Sequence, residues 1–285
     1  MPSSAIQEHV YVDLTKLEFL AAGKSGMVYA TDDGRVLKQY YEHETDGVLM
    51  ERQVFQRLGS HPNIIQYLGA TKDGHTVLER GISLRSLYQQ QRGENIPFDQ
   101  KARWVREAAS GLDHLHGNNV LHADVGCHNM VLVEDHVKLI DFEGCSIDGS
   151  EATSCYEWFS YRKERPEVSV HTDIFAFGCA IYELVAGHHP YHELATEENR
   201  TPKDLVESRY SSKQFPDTMN LPFGTTIYSC WTGEFDSMRD VIAALDSTSV
   251  LHVGSRGTIL GAFSAIGAGI TGLKAFLFHL LYSVN

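Results

Sequence analysis

The chain has 285 residues, of which 42% are hydrophobic, so it is long enough and apolar enough for one large domain or for two lobes with a packed core. Its formal net charge of −13 argues against a nucleic-acid partner, because binding to a phosphate backbone depends on Lys and Arg. The five cysteines are scattered without a Cys-x-x-Cys spacing, which favours a reducing compartment, and we therefore expect a cytoplasmic protein.

The first predicted elements lie between residues 14 and 38, where strand-like runs at 17–20, 27–30 and 36–38 surround a glycine-containing turn at 21–26. Glycines allow backbone amides to approach phosphate oxygens closely, so a turn of this kind can hold a nucleotide. An ordinary hairpin also contains such glycines. Taken alone, this stretch leaves both interpretations open.

The next predicted element is a helix over 44–58, whose apolar face includes Phe55 and Leu58. Glu51 falls on the same face, and a carboxylate in an apolar stripe needs a partner. One interpretation is that Glu51 lies at the exposed flank of an amphipathic helix. The other is an ion pair with Lys38, which ends the preceding strand.

Further along the chain, residues 76–81 form a strand that runs into a linker, and residues 98–117 have the apolar spacing of a buried helix. Residues 179–185 are almost entirely apolar, and the stretch 173–178 opens this run. These patterns predict that the second half of the protein is mainly helical.

Between the two buried helices lies the stretch that is richest in chemistry. Asp124 is followed by Asn129, and Asp141 comes after two predicted short strands at 130–133 and 137–140. The hairpin formed by these strands brings the three side chains to one end. Hard oxygen ligands in such a cluster favour Mg²⁺, which binds through carboxylates together with substrate phosphates.

These residues resemble a known family. The sequence His-Ala-Asp-Val-Gly-Cys-His-Asn at 122–129 and Asp-Phe-Glu at 141–143 resemble the H-R-D-x-K-x-x-N loop and the D-F-G turn of eukaryotic-type protein kinases. Residues 165–167 resemble the family's A-P-E, and 173–178 resemble D-x-W-S-x-G. The resemblance covers about residues 14–246 and is to a divergent, Ser/Thr-like, fungal-style kinase without the His-Arg-Asp motif.

The resemblance implies an α+β class and a bilobal protein kinase fold. A small β-rich N-lobe with one key helix is expected over about 14–80, a hinge over about 79–82, and a larger helical C-lobe over about 83–246. The implied activity is ATP-dependent transfer of a phosphate to Ser or Thr of a protein substrate, with Mg²⁺ as cofactor.

The family's functional residues can be placed by motif. The resemblance implies catalytic roles for Asp124, Lys38 and Glu51, and metal binding by Asn129 and Asp141. The residues implied to line the ATP site are Ala21, Gly23, Gly26, Val28, Val36, Lys38, Leu78, Glu79, Gly81 and Val131. Leu78 takes the place of the gatekeeper, and Ala21 replaces the first glycine of the phosphate-binding loop.

Several positions depart from the family pattern. Gly126 stands where Ser/Thr kinases have Lys, and His128 stands where tyrosine kinases have Arg. Losing one preorganised charge donor costs ~10²–10³ in rate, so we expect slow catalysis, which His128 would partly restore if it is protonated. Ala123 replaces the arginine that reads a phosphorylated segment, and we therefore expect no such switch. Glu143 replaces the D-F-G glycine, which either strengthens metal binding or holds the loop in one state.

The departures leave a second function class open, a pseudokinase that serves as a nucleotide-binding or scaffolding module.

The last segment, 247–285, changes composition, with seventeen uncharged residues over 257–273. It suggests a candidate membrane helix over about 257–281, in which small residues recur every fourth position. The alternatives are a helix docked on the C-lobe and a tail without order.

Overall fold

The computed structural model describes residues 12–43, 45–90, 96–164, 166–196 and 202–247. The candidate membrane helix over 257–281 and the first residue of the motif at 165–167 lie outside these ranges. Within them, no helix combines the length and the apolar character needed to cross a membrane.

The N-terminal part is a five-stranded antiparallel sheet with the order β1-β2-β3-β5-β4. Its strands are β1 (Glu18–Ala22), β2 (Gly26–Asp32), β3 (Arg35–Tyr40), β4 (Tyr67–Ala70) and β5 (Thr76–Glu79). The turn that we predicted over 21–26 is too long, because Ala21 and Ala22 pair with β2 and belong to β1. Only glycine at position 26 allows β2 to pair with β3 at this point, since a Cβ there would lie 2.0 Å from the Gln39 carbonyl oxygen.

Helix α1 (Thr45–Leu58) connects β3 to β4, as the apolar spacing predicted. Its inner face contributes Val54, Phe55 and Leu58 to the core. Glu51 also faces inward and is only 1% exposed, so the interpretation of an exposed flank is wrong.

The C-terminal part consists mainly of helices, with two small sheets of order β6-β8-β9 and β10-β7. Its elements in chain order are β6 (Ile82–Ser83), α2 (Leu84–Gln90), α3 (Phe98–Gly117), β7 (Val120–Leu121), β8 (Met130–Val133), β9 (His136–Leu139), β10 (Ser146–Ile147), α4 (Val170–Ala186), α5 (Lys203–Ser211), α6 (Gly224–Thr232) and a helical stretch over 238–247. The mixed composition, with a β-sheet N-terminal region and a helical C-terminal part, confirms the predicted α+β class.

Helix α4 is the buried axis of the helical part. A capping box between Ser169 and Thr172 starts it, and Gly187 ends it with a φ of 80°. Gly178 lets α4 approach α6 closely, since a Cβ there would lie 2.7 Å from the Cβ of Cys230. Asp173 is fully buried in α4 and accepts hydrogen bonds from the backbone amides of residues 122 and 123, so α4 holds the catalytic loop in place.

A column of ring contacts joins the sheet to the helical part. Tyr67 stacks on Phe55 at 5.3 Å between ring centroids, and Phe55 meets Phe142 edge-on at 5.4 Å. Phe142 in turn contacts His122 at 5.6 Å. The column therefore runs from β4 through α1 to the catalytic loop, and it fixes the residues that flank Asp141.

Candidate active site

The first charged group of the site is centred on the amine of Lys38, a residue in the interior of β3. The Nζ atom lies 3.3 Å from Oε1 of Glu51, 2.7 Å from Oδ1 of Asp141 and 2.9 Å from Oε2 of Glu143. The hydroxyl of Tyr40 donates a hydrogen bond to the other oxygen of Glu51. We call Lys38, Glu51, Asp141 and Glu143 the Lys38 cluster. The ion pair that the sequence predicted between Lys38 and Glu51 is present.

The charges of the Lys38 cluster follow from its burial. Burial disfavours the ammonium form of Lys38, but the attraction of Glu51, Asp141 and Glu143 is stronger and raises its pKa well above the usual value. For Asp141, burial acts against ionisation, yet Lys38 lowers the pKa of this carboxyl. For Glu143, burial together with the charge of Asp141 overcomes Lys38 and raises the pKa.

The candidate metal ligands lie next to this cluster. Asn129 uses its side-chain Nδ2 to donate to the backbone oxygen of Asp124 at 2.9 Å and to Oδ2 of Asp124 at 3.1 Å. The backbone amide of Ile140 donates to the Asn129 carbonyl at 3.1 Å, which brings Asn129 beside Asp141. The amide oxygen of Asn129 and the Asp141 carboxylate are ligands suited to Mg²⁺. β9 ends at Leu139, one residue before Ile140, which we predicted as the last residue of the strand.

The second charged group lies at the other side of Asp124. Nε2 of His128 is 3.2 Å from Oδ2 of Asp124, and Nδ1 is 3.0 Å from Oε2 of Glu157. Glu157 forms a bidentate pair with Arg85 at 2.8 and 2.6 Å, and Arg85 also lies 2.8 Å from Glu183 of α4. We call Asp124, His128, Glu157, Arg85 and Glu183 the His128 cluster.

The pKa shifts in the His128 cluster have opposite signs on its two central members. Burial lowers the pKa of His128, but the neighbouring carboxylates of Asp124 and Glu157 outweigh burial and raise the pKa to about 9. Burial raises the pKa of Glu157, but the hydrogen bonds from Arg85 and the nearby imidazole of His128 outweigh burial and lower the pKa to about 2. His128 is therefore a cation and Glu157 an anion at neutral pH.

The residues predicted to line an ATP site lie on the elements around the Lys38 cluster. Val28 and Val36 are half-buried in β2 and β3, while Leu78 and Val131 are buried in β5 and β8. Gly81 lies directly on β8, because a Cβ there would stand 2.7 Å from the Val131 Cβ. A larger residue at position 81 would push the strands apart at this place.

The remaining predicted ATP-site positions face other surroundings. Ala21 in β1 and Gly23 in the turn after it are exposed. The Glu79 carboxylate bonds to Lys138 at 2.7 Å, and the Glu79 amide donates to the Gln66 carbonyl at 3.0 Å. The side chain and the backbone amide of Glu79 are thus both bonded within the protein. The contact predicted between Glu79 and ATP is therefore limited to the backbone carbonyl of Glu79.

Several residues of the site were missed by sequence reasoning. Ser25, in the turn before β2, is buried and lowers the pKa of the Glu143 carboxyl, and nothing in the turn's sequence indicated this contact. Glu157 and Arg85 lie outside any motif. Glu183 could have been found, since an acid in the apolar run of α4 requires a buried partner. Ser160, in the segment before α4, donates its hydroxyl to the backbone oxygen of Glu157 at 3.3 Å.

Comparison with known proteins decides the family. The model of the protein kinase domain matches residues 22–245. The chain belongs to the protein kinase family. This kinase domain therefore has the sheet, the helix α1 and the catalytic loop of its family, with the departures described above.

Individual relatives are distant from this kinase domain. The human MAPK/MAK/MRK overlapping kinase is 28% identical over 195 residues, which are 64% of this chain and 45% of that protein. The serine/threonine-protein kinase VIK of Arabidopsis thaliana is 29% identical over 242 residues, 75% of this chain and 51% of that protein. The serine/threonine-protein kinase 12 of the same plant is 27% identical over 230 residues, 71% and 47% of the two chains. The chain spans about half the length of these relatives.

Proposed function

We propose that the kinase domain transfers the γ-phosphate of ATP to Ser or Thr hydroxyls of a protein substrate, with Mg²⁺ as cofactor. The observation that supports this most strongly is the position of the Lys38 amine, which contacts both Glu51 and Asp141. A lysine held in this way is oriented to bind phosphate oxygens. The names of the relatives, several of which are serine/threonine-protein kinases, favour Ser and Thr over Tyr.

The residues of the site divide the chemistry among themselves. The oxygen of the substrate hydroxyl forms a bond to the γ-phosphorus, and the bond between that phosphorus and the bridging oxygen breaks, so that its electron pair leaves with ADP. Asp124 orients the hydroxyl and takes its proton. Lys38 holds the phosphates, and Asn129 and Asp141 would hold Mg²⁺. When bound, the metal neutralises negative charge on the phosphate oxygens.

We infer that this transfer is slow. The catalytic loop contains no Lys or Arg from residue 118 to residue 130, so the usual fixed charges for the phosphoryl group are missing. The loss of one such preorganised donor lowers the rate by ~10²–10³.

A second candidate function is a pseudokinase that binds nucleotide or serves as a scaffold. It is favoured by Glu143, whose carboxylate lies 2.9 Å from the Lys38 amine, in the place of the D-F-G glycine. A phosphate oxygen needs the same amine. Glu143 therefore competes with ATP for Lys38, and strong competition would leave a fold without catalysis.

The two functions are separated by two measurements on the wild type, on Asp124→Asn, and on Asp33→Asn as a control at an exposed turn. A thermal shift with ATP and Mg²⁺ reports nucleotide binding, and transfer of labelled phosphate to a mixed Ser, Thr and Tyr peptide library reports catalysis. If the protein is a kinase, ATP and Mg²⁺ should give a thermal shift in all three proteins. The wild type and the Asp33→Asn control should produce phosphoserine or phosphothreonine, and the rate of transfer should fall on the order of 10³-fold in Asp124→Asn. A thermal shift with ATP, together with no phosphate transfer that is lost in Asp124→Asn, would favour the pseudokinase.

A further inference from the structure

Asp173 of α4 is a buried carboxylate that contacts the catalytic loop. Because its side chain is fully buried, its charge depends on hydrogen-bond donors from the protein itself. Oδ2 accepts a hydrogen bond from the backbone amide of His122 at 2.9 Å and lies 2.9 Å from Nε2 of His116. Oδ1 accepts from the backbone amide of Ala123 at 3.1 Å and from the hydroxyl of Tyr156 at 2.7 Å. Of these four donors, Tyr156 alone belongs to the segment between β10 and α4.

The hydroxyl of Tyr156 is committed to this carboxylate. The Tyr156 side chain is buried, and Oγ1 of Thr172 lies 2.9 Å from the same hydroxyl. Burial and the charge of Asp173 raise the pKa of Tyr156 well above its usual value, so the phenol keeps its proton. A carboxylate can only accept, and a hydrogen bond to a charged group is stronger than one between neutral groups. The segment is therefore firmly linked to Asp173.

On the side of the catalytic loop, the same oxygen of Asp173 holds a strained backbone. Ala123 has a φ of 64°, in the left-handed region that residues other than glycine rarely adopt. Such a conformation persists only where the surroundings fix it, and the hydrogen bond from the Ala123 amide to Oδ1 is one contact that does so. Asp124 follows Ala123 directly, so the position of Oδ1 affects the direction of the Asp124 carboxylate.

Other anchors hold the segment through different groups. Glu157 pairs with Arg85 of α2 at 2.8 and 2.6 Å. The backbone carbonyl of Phe159 accepts a hydrogen bond from the buried hydroxyl of Tyr210 of α5 at 2.6 Å. These contacts fix the path of the segment, whereas Tyr156 connects it to the carboxylate that holds the catalytic loop.

We propose that Tyr156 is a positioning residue for phosphoryl transfer: its hydroxyl fixes Oδ1 of Asp173, which holds the amide of Ala123 and thereby the direction of Asp124 toward the substrate hydroxyl. The inference rests on the proposed function. It couples the position of the segment between β10 and α4 to the catalytic carboxylate. The link consists of a hydroxyl and a backbone amide on one carboxylate, so it needs no phosphate group.

The test compares Tyr156→Phe with Tyr210→Phe in the full chain. Each variant keeps its ring and loses one buried hydroxyl that holds the segment, so both should unfold at a lower temperature than the wild type. We expect Tyr156→Phe to lower turnover about tenfold, because a reacting group misplaced by less than 1 Å loses less than the ~10²-fold that a full ångström costs. Tyr210→Phe should keep turnover within about twofold of the wild type, since its hydroxyl bonds to Phe159 and not to Asp173.

Two further measurements separate positioning from a purely structural role. The KM for ATP and the thermal shift with ATP and Mg²⁺ should be the same in Tyr156→Phe as in the wild type, because the Lys38 cluster is unchanged. Turnover is expressed per folded molecule and measured below the unfolding temperature of each variant. A loss of stability is then not counted as a loss of catalysis, even where a variant folds only in part.

A third comparison asks whether the hydroxyl acts through Asp124. In the Asp124→Asn background, Tyr156→Phe should lower the remaining transfer by less than about twofold, because the group that the hydroxyl positions is already lost. The inference is overturned if Tyr156→Phe has the turnover or the altered KM for ATP that positioning excludes, namely wild-type turnover or a raised KM. It is also overturned if Tyr210→Phe loses as much turnover as Tyr156→Phe, or if the two losses multiply in the double variant.

The same experiment distinguishes this inference from the proposed function. If the wild type transfers phosphate and Tyr156→Phe transfers it equally well, the inference fails and the proposed function stands. If the wild type shows no transfer that is lost in Asp124→Asn, both fail.

Discussion

The Lys38 cluster and the His128 cluster are both ion-pair networks, but they solve the problem of buried charge differently. In the Lys38 cluster three carboxylates share one amine, whereas in the His128 cluster two cations alternate with three acids. Two glutamates show the result: the pKa of Glu143 is raised, while the pKa of Glu157 is lowered to about 2. Acids exceed cations by two in the Lys38 cluster, which suits a metal ion, and by only one in the His128 cluster.

This difference suggests a division of labour. The Lys38 cluster is incomplete without a cation or a phosphate, which is expected for a site that binds ligand. The members of the His128 cluster lie against one another and leave a smaller excess of acid, which is expected for a site that holds a catalytic group in place. The first three predictions below change one cluster and leave the other intact.

The largest effect is expected on removing the shared amine. Lys38→Met leaves Glu51 buried without its cation, and we expect the free energy of unfolding to fall by about 3 kcal/mol, since breaking a buried ion pair by removing one partner is strongly destabilising. Urea denaturation measures the change, with Lys163→Met at an exposed position as control. A loss no greater than that of the control would show that the cluster contributes nothing to stability.

The next effect concerns the excess acid of the Lys38 cluster. Glu143→Gln removes the charge that competes with ATP for Lys38, and we expect ATP to bind about tenfold more tightly, a gain of about 1.4 kcal/mol. Calorimetric titration with ATP and Mg²⁺ measures it, and Glu151→Gln at an exposed site is the control. Weaker binding in Glu143→Gln would instead make Glu143 a contributor to metal binding.

A smaller effect is expected in the pH dependence of stability. Because the folded pKa of Glu157, about 2, lies below its ordinary value of 4.5, its pairing stabilises the protein above pH 4.5 and this contribution is lost as the pH falls toward 2. Glu157→Gln should therefore be less stable than the wild type at pH 6, and the difference should shrink as the pH falls from about 4.5 toward 2. Denaturant unfolding across this range would contradict the account if the difference stayed constant.

The smallest effect is expected from phosphorylation. Ala123 provides no guanidinium to bind a phosphate, and Arg85 is already paired with Glu157 and Glu183. We expect Ser150→Glu and Thr153→Glu to change turnover by less than about twofold, on the scale of one modest electrostatic contact. A sharp increase in the turnover of either variant would show that a phosphate-binding group exists outside the His128 cluster.

The two clusters also differ in how far the sequence predicted them. Lys38, Glu51 and Asp141 occupy motif positions, so the resemblance to protein kinases was sufficient to expect them together. Helix α1 and the β8–β9 hairpin followed from periodicity, because their apolar faces are buried against the core. The contact of Glu143 with Ser25 depends on the path of the turn before β2, which no local pattern determines.

The His128 cluster could not be predicted in this way. Arg85, Glu157 and Glu183 lie on three elements, and their meeting depends on how α2 and α4 pack beside the catalytic loop. The sequence showed that Gly126 and His128 depart from the family, but only the structure shows that the two departures fit each other, because the ring of one occupies the space next to the other.

The most direct test of the division between the clusters is to measure the ATP dissociation constant and the turnover of Glu143→Gln and His128→Ala in parallel with the wild type. The account predicts that Glu143→Gln changes the dissociation constant about tenfold, and that His128→Ala leaves it unchanged and lowers turnover on the order of 10²-fold. If His128→Ala weakened ATP binding, or if Glu143→Gln left the dissociation constant unchanged, the two clusters would not have the separate roles assigned to them.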